Sequence, residues 1–287
     1  MESEESSIQK LSELNRIHSR MEPAGYLDKV YGLFFEKAAE WIPMPKLVTL
    51  DKLYSILEKD YKRTGFIGQG YHCLEHSLEC ALLTQEATLE PALNNPADRL
   101  ELAAAALLHD YDPLRIDGAP DPLHTVKLIT LDSSLTHTLA DMELDPLKIA
   151  LLIERTMHPM SFEDWKLWES RVADKLNNPE ESARLIKKGT LLARLTRAAS
   201  YVCLTPHEVV KRVEGLADEL GLRRQYLLAE TYNYLLDQGV EETAMSLPIQ
   251  YKCRWELVEQ YFMIISGFQP SLVWLVQAGT YKGGGLK

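Results

Sequence analysis

Several things are scarce in this chain of 287 residues. Its four cysteines, Cys73, Cys80, Cys203 and Cys253, are scattered, with no CxxC pair among them. That pattern excludes the common zinc modules and supplies no disulfide framework, so a reducing, cytoplasmic setting is expected. No apolar run approaches the roughly 20 residues that span a bilayer, and no basic segment followed by an apolar one opens the chain. No membrane partner is therefore expected. Basic charge is also in deficit: 31 Lys and Arg face 42 Asp and Glu, for a net charge of -11. A broad nucleic-acid surface needs basic patches, so nucleic acid is excluded as a partner. A small phosphorylated ligand is not, because a few arginines can line a pocket in an acidic protein. Gly65, Gly68 and Gly70 have no strand before them and no GK[ST] after them, so they make no phosphate-binding loop. They read instead as a plain loop or as backbone that must come close to the site.

Strand signals are scarce too, whereas helical periodicity recurs throughout. Residues 8–21, 26–41, 50–62, 71–90, 146–157, 161–178, 183–203, 206–220 and 222–238 read as helices, and another restarts at Asp121-Pro122 with Asp as N-cap. The fold class is all-α, a helical bundle in one domain over residues 1–287. The helices at 206–220 and 222–238 read as packing elements without chemistry. The aromatic and apolar C-terminal third reads as core cover or as the face of a homodimer.

The chemistry concentrates between Tyr71 and Asp110. His72 and His76 are four residues apart, one turn of a helix, beside Glu75, Glu79 and Glu86. That spacing lets one imidazole bind a metal while the other reaches a ligand bound to it. Asn95-Pro96 starts the next helix as N-cap and first residue. From Leu102 to Leu108 every residue is Leu or Ala, which marks a helix buried on all sides, and His109-Asp110 follows without a break. A carboxylate there leaves water and sits at the negative end of a helix dipole. A bound cation resolves both problems. The bland alternative for any one histidine is a core residue capping a carbonyl, but His72, His76, His109 and Asp110 together point to a metal site.

In YHCLEH, ALLHDYDP and LLIERTMHP the chain resembles the HD superfamily of metal-dependent phosphohydrolases, over roughly residues 65–205. YHCLEH is also similar to the YHN-x-x-H element of cyclic-nucleotide phosphodiesterases, with Cys73 in place of Asn. The resemblance implies an HD-like core, with N-terminal helices (8–62) and C-terminal helices (206–280) packed on it. It implies a divalent metal ion (Mn, Mg, Zn, Co or Fe) on His76, His109 and Asp110, and His72 as the acid that protonates a leaving oxygen. His124, after the HD loop, and His158, in LIERTMHP, become candidates for a second metal. One departure stands out. Where the family carries Asp in an LLxxxDxxA context, this chain has Leu191 to Ala199, LLARLTRAA, with Thr196 at the Asp position.

Arg155 lies three residues before His158 on nearly the same face and is placed to bind a phosphate bidentately. Arg184, Lys187, Lys188, Arg194 and Arg197 make 183–203 the most basic segment, with Arg194 the second candidate to neutralise phosphate charge. The expected activity is hydrolysis of a phosphoester or phosphoanhydride in a small nucleotide-like substrate. The alternatives are an HD-like scaffold that binds without turnover and, third, an iron-dependent oxygenase.

Overall fold

A computed structural model describes residues 23–64, 70–113, 115, 120–157 and 160–265. Among these the regular structure is thirteen helices and no strand, so the fold is all-α. No helix among the described residues is long and apolar enough to cross a membrane.

The starts of the helices are written in the sequence. Asn95-Pro96, Asp121-Pro122, Asp145-Pro146, Asn178-Pro179 and Thr205-Pro206 each pair a side chain that accepts a backbone N–H with a proline that needs to donate none. They open α4 (Pro96–Leu108), α5 (Pro122–Leu131), α7 (Pro146–Thr156), α9 (Pro179–Val202) and α10 (Pro206–Glu219). Ser161 opens α8 (Phe162–Leu176) through a capping box with Asp164. Asp132 caps α6 (Ser133–Asp141) by accepting from the N–H groups of Ser134 and Leu135, which separates it from α5. The N-terminal pair is α1 (Pro23–Ala39) and α2 (Met44–Thr64). The latter starts ahead of the expected residue 50, because Pro45 is tolerated in a first turn. After α10 come α11 (Arg224–Asp237), α12 (Val240–Met245) and α13 (Ile249–Ile265). The helix expected at 8–21 and the SLVWLVQA stretch lie outside the described residues.

The centre is the antiparallel pair of α3 (Leu74–Glu86) and α4, with α1 on one side and α9 on the other. Leu102 to Leu108 are all fully buried, as an uninterrupted Leu/Ala run demands. The 24-residue α9 packs on α3, α4, α7 and α8 and also meets α10, α12 and α13. Gly189 makes one of these contacts close, since a Cβ there would come within 2.7 Å of the Trp168 ring. Glycine inside a helix costs about 1 kcal/mol against alanine, and the burial of Trp168 offsets it. The α4–α9 seam is ionic. Asp98 pairs with Arg184 and, at 3.1 Å, with Lys188, and Lys188 also reaches Glu101 at 2.6 Å. Arg99 satisfies the end of α3 by donating to the carbonyls of Thr84, Gln85 and Ala87.

The first turn of the expected 71–90 helix is absent. Helix α3 begins at Leu74, with Cys73 as its N-cap and no side-chain cap. Tyr71 and His72 therefore precede the helix, and the reason is a competing partner. Their backbone N–H groups donate to Glu219 Oε1 at 2.8 and 3.3 Å, so Glu219 of α10 satisfies donors that a first helical turn would have left without a helix carbonyl. His72 and His76 still end up as neighbours, ring centres 6.4 Å apart, but across a turn and not along one helical face.

Candidate metal centre

Helix α3 delivers His76 and Cys80, the end of α4 delivers His109 and Asp110, and all four are buried. His109 Nδ1 donates to the Ala106 carbonyl at 2.8 Å. A carbonyl can only accept, so in the neutral ring Nε2 carries the free lone pair. That lone pair faces Asp110 Oδ2 at 3.0 Å. Oδ2 has no hydrogen-bond partner among the described residues, and His109 is its nearest charged neighbour when protonated. His76 bonds Ser200 Oγ through Nδ1 at 3.0 Å, and its Nε2 lies 3.6 Å from the same Oδ2 and 3.7 Å from Cys80 Sγ. Two imidazole nitrogens, a carboxylate oxygen and a sulfur thus converge in one buried cluster.

This arrangement fits a metal ion. Bonds of about 2.0–2.3 Å to a tetrahedral ion put neighbouring donors roughly 3.3–3.8 Å apart, close to the separations seen here. The donor atoms of His76, Cys80 and His109 all lie within 4.8 Å of one another. Without an ion the charges shift to compensate. Burial alone would raise the Asp110 carboxyl, but His109, His72 and His76 hold it well below the usual carboxylate range. Burial would likewise lower His109, yet Asp110 raises it overall. For His76 burial wins, and the ring is pushed down toward the neutral form. Burial pushes the Cys80 thiol well up, with Asp110 and Glu79 adding to it.

His72 sits at the rim, its side chain 18% exposed. Nδ1 is 2.6 Å from Glu219 Oε2, while Arg115 donates to its backbone carbonyl. Arg212 of α10 donates to the Tyr71 carbonyl at 3.3 Å, contacts Cys73 Sγ at 3.2 Å and pairs with Glu79 at 3.0 Å. Glu79 is fully buried, so this member of the acidic stripe of α3 lies in an internal ion pair. The close approach of α10 depends on glycine. Gly70 has φ +80°, and a Cβ there would overlap Glu219 Oε1; a Cβ at Gly215 would lie 2.9 Å from Gly70 Cα. Gly70 is thus the expected backbone close approach, made to α10. Gly65 and Gly68 lie outside the described residues.

Comparison with protein-family models, curated proteins and solved structures gave no match. The residues must carry the argument.

Of the expected site residues, the structure brings together His72, His76, His109 and Asp110. Thr196, at the family's Asp position, is also beside them, its carbonyl 3.9 Å from Cys80 Sγ. Its hydroxyl donates to Ala193 in its own helix. His124 is about half exposed, with its ring 3.4 Å from Asp112 and 3.8 Å from Asp121. His158 lies outside the described residues. Arg155 is buried under Trp165 and Trp168, its guanidinium carbon 5.5 and 5.9 Å from their ring centres. Arg194 is exposed, and two residues along a helix turn it about 200° from Thr196.

Sequence reasoning missed Glu219, Arg212, Ser200 and the sulfur of Cys80. Helix α10, read as packing only, supplies the first two. Two signals were there. Glu219 is an acid at the C-terminal end of a helix, where the dipole disfavours it, and Gly215 is a glycine inside a helix.

Proposed function

We propose that this protein is a metal-dependent phosphohydrolase of the HD type it resembles. Its substrate is a small nucleotide-like molecule with a phosphoester or phosphoanhydride bond. The observation that carries the reading is the buried convergence of His76 Nε2 and His109 Nε2 on Asp110 Oδ2, which has no hydrogen-bond partner among the described residues, beside a histidine anchored by a carboxylate.

His76, His109 and Asp110 would hold a divalent cation, which would supply Lewis acidity toward a phosphoryl oxygen and acidify water at the site. Asp110 contributes the negative charge of the set, and Tyr61, donating to its carbonyl at 3.2 Å, fixes its backbone. Ser200 fixes the His76 ring and Ala106 the His109 ring, so both nitrogens are presented without rotation. His72 moves the proton. Glu219 holds Nδ1, which leaves Nε2 to give a proton to the leaving oxygen. Nitrogen and sulfur donors favour Zn, Co or Fe over Mg.

One observation favours a second reading, a scaffold that binds without turnover: Thr196 brings a hydroxyl where the family has a carboxylate, so Asp110 is left as the acid of the cluster.

The test is metal analysis of protein purified without chelator, followed by hydrolysis assays on phosphodiester and nucleotide panels. Wild type should hold near-stoichiometric metal, and His109→Ala/Asp110→Ala should hold none. Glu219→Ala should keep its metal while hydrolysis falls about a hundredfold or more, the usual worth of a positioned proton donor. Metal without turnover supports the second reading, and failure to bind added Mn²⁺ or Zn²⁺ overturns the hydrolase.

A further inference from the structure

On the next flank of α9 from Thr196 lies a group of donors without acceptors. Arg155, from α7, is 8% exposed, and its Nε has no hydrogen-bond partner among the described residues. Its Nη1 reaches only the Met160 sulfur, at 3.5 Å. The Nε of Arg197 and the indole Nε1 of Trp165 are also buried and unpartnered. The Arg155 side chain leaves α7 against Gly189, where a Cβ would come within 3.3 Å of Arg155 Cβ. Arg197 is about two turns further along α9, roughly 12 Å by helix rise, within the combined reach of two arginines. The two charges feel each other: burial, and then Arg197, pull Arg155 down to about 10. Glu169, which acts on Arg155 from a distance, is already taken by Lys166 at 2.8 Å.

A buried guanidinium with a second, half-buried one on the neighbouring helix is disfavoured unless an anion joins them. Every unpartnered atom in the group is an N–H, so the missing partner is an acceptor. A carboxylate or a phosphodiester brings one negative charge and leaves one arginine uncompensated. A terminal phosphoryl group carries about -1.5 to -2 at neutral pH and three acceptor oxygens, matching both the charge and the donors.

We propose that Arg155, Arg197 and Trp165 form a binding site for a terminal, doubly charged phosphoryl group. The site lies beside the face of α9 that meets His76 and Cys80. It narrows the substrate class to molecules ending in a phosphate monoester or terminal phosphate. This narrowing rests on the proposed hydrolase; the anion site itself does not. It also revises the phosphate-binding pair from Arg155 and Arg194 to Arg155 and Arg197.

The test uses metal-free full-length protein titrated with inorganic phosphate and, separately, with singly charged dimethyl phosphate. Tryptophan fluorescence and thermal melting are the readouts. Saturable binding of phosphate is expected, with dimethyl phosphate weaker by about tenfold or more, the worth of one charged hydrogen bond. Arg155→Met risks failing to fold, so the main variant is Arg197→Met at a half-buried position. It should lose the phosphate response yet melt no lower than wild type when phosphate is absent, because it removes an unpartnered charge. An arginine that merely held the fold together would melt lower. No saturable phosphate binding, or unchanged binding in Arg197→Met, overturns the proposal. Hydrolysis without phosphate binding would overturn this site and leave the hydrolase standing; phosphate binding in a protein that never takes up metal would do the reverse.

Discussion

The ion pair between Glu79 and Arg212 gives the sharpest test of how the centre is held. Glu79 has no exposed side-chain surface; its Oε1 accepts from Arg212 at 3.0 Å and from the Tyr26 hydroxyl at 2.9 Å. Its Oε2 has no hydrogen bond and lies 3.9 Å from His76 Nδ1. Arg212→Met strands that carboxylate, and breaking a buried pair from one side costs about 3–5 kcal/mol. Against a total stability of about 5–15 kcal/mol, the variant should fold but with its urea midpoint lowered far outside error. Glu79→Met strands Arg212 in turn, though the Tyr71 carbonyl and Cys73 still receive its donors. In Glu79→Met/Arg212→Met no charge is left unpaired, so the double variant should be more stable than Arg212→Met alone. Urea unfolding followed by circular dichroism, compared at constant slope, measures all three. If the double variant falls by the sum of the single losses, to within about 0.5 kcal/mol, the two side chains are not coupled and the reasoning fails.

Two further predictions concern metal-free protein. His109 is raised in the fold, so its pairing with Asp110 stabilises fully below the unfolded value of about 6.5 and is lost as pH rises through the folded one. His76 is lowered and acts with the opposite sign, so the difference between variants is the quantity to read. Wild type should exceed His109→Gln in melting temperature by more at pH 5.5 than at pH 8.5, in chelator; an equal or reversed gap would contradict the pairing. Gly215→Ala should lower the melting temperature, although alanine favours a helix by about 1 kcal/mol, because its Cβ meets the Gly70 backbone at 2.9 Å. A rise would refute the close packing of α10 on the His72 turn.

What the sequence made legible was local. Asn95-Pro96 and its four counterparts announce helix starts through chemistry contained in two residues. The Leu102–Leu108 run announces burial through composition alone. His76, His109 and Asp110 could be grouped because their residue types are costly inside a protein without a shared reason. What stayed hidden depended on distant partners. The position of His72 outside α3 is set by Glu219, 147 residues away. The direction of Arg155 is set by the Trp165 and Trp168 rings and by the space Gly189 leaves, none of which a helical wheel of α7 contains. That Arg194 is exposed while Arg197 is half-buried is likewise a fact of packing and not of charge.

That long reach from His72 to Glu219 fixes an order of events during synthesis. The side chains that could grip an ion are all made by Asp110, whereas Glu219 follows about 110 residues later. At roughly 5–20 residues per second, the interval is about five to twenty seconds. Through that window the chain already carries His76, His109 and Asp110 but not the carboxylate that pins the His72 turn, so the two halves of the centre are made at separate times.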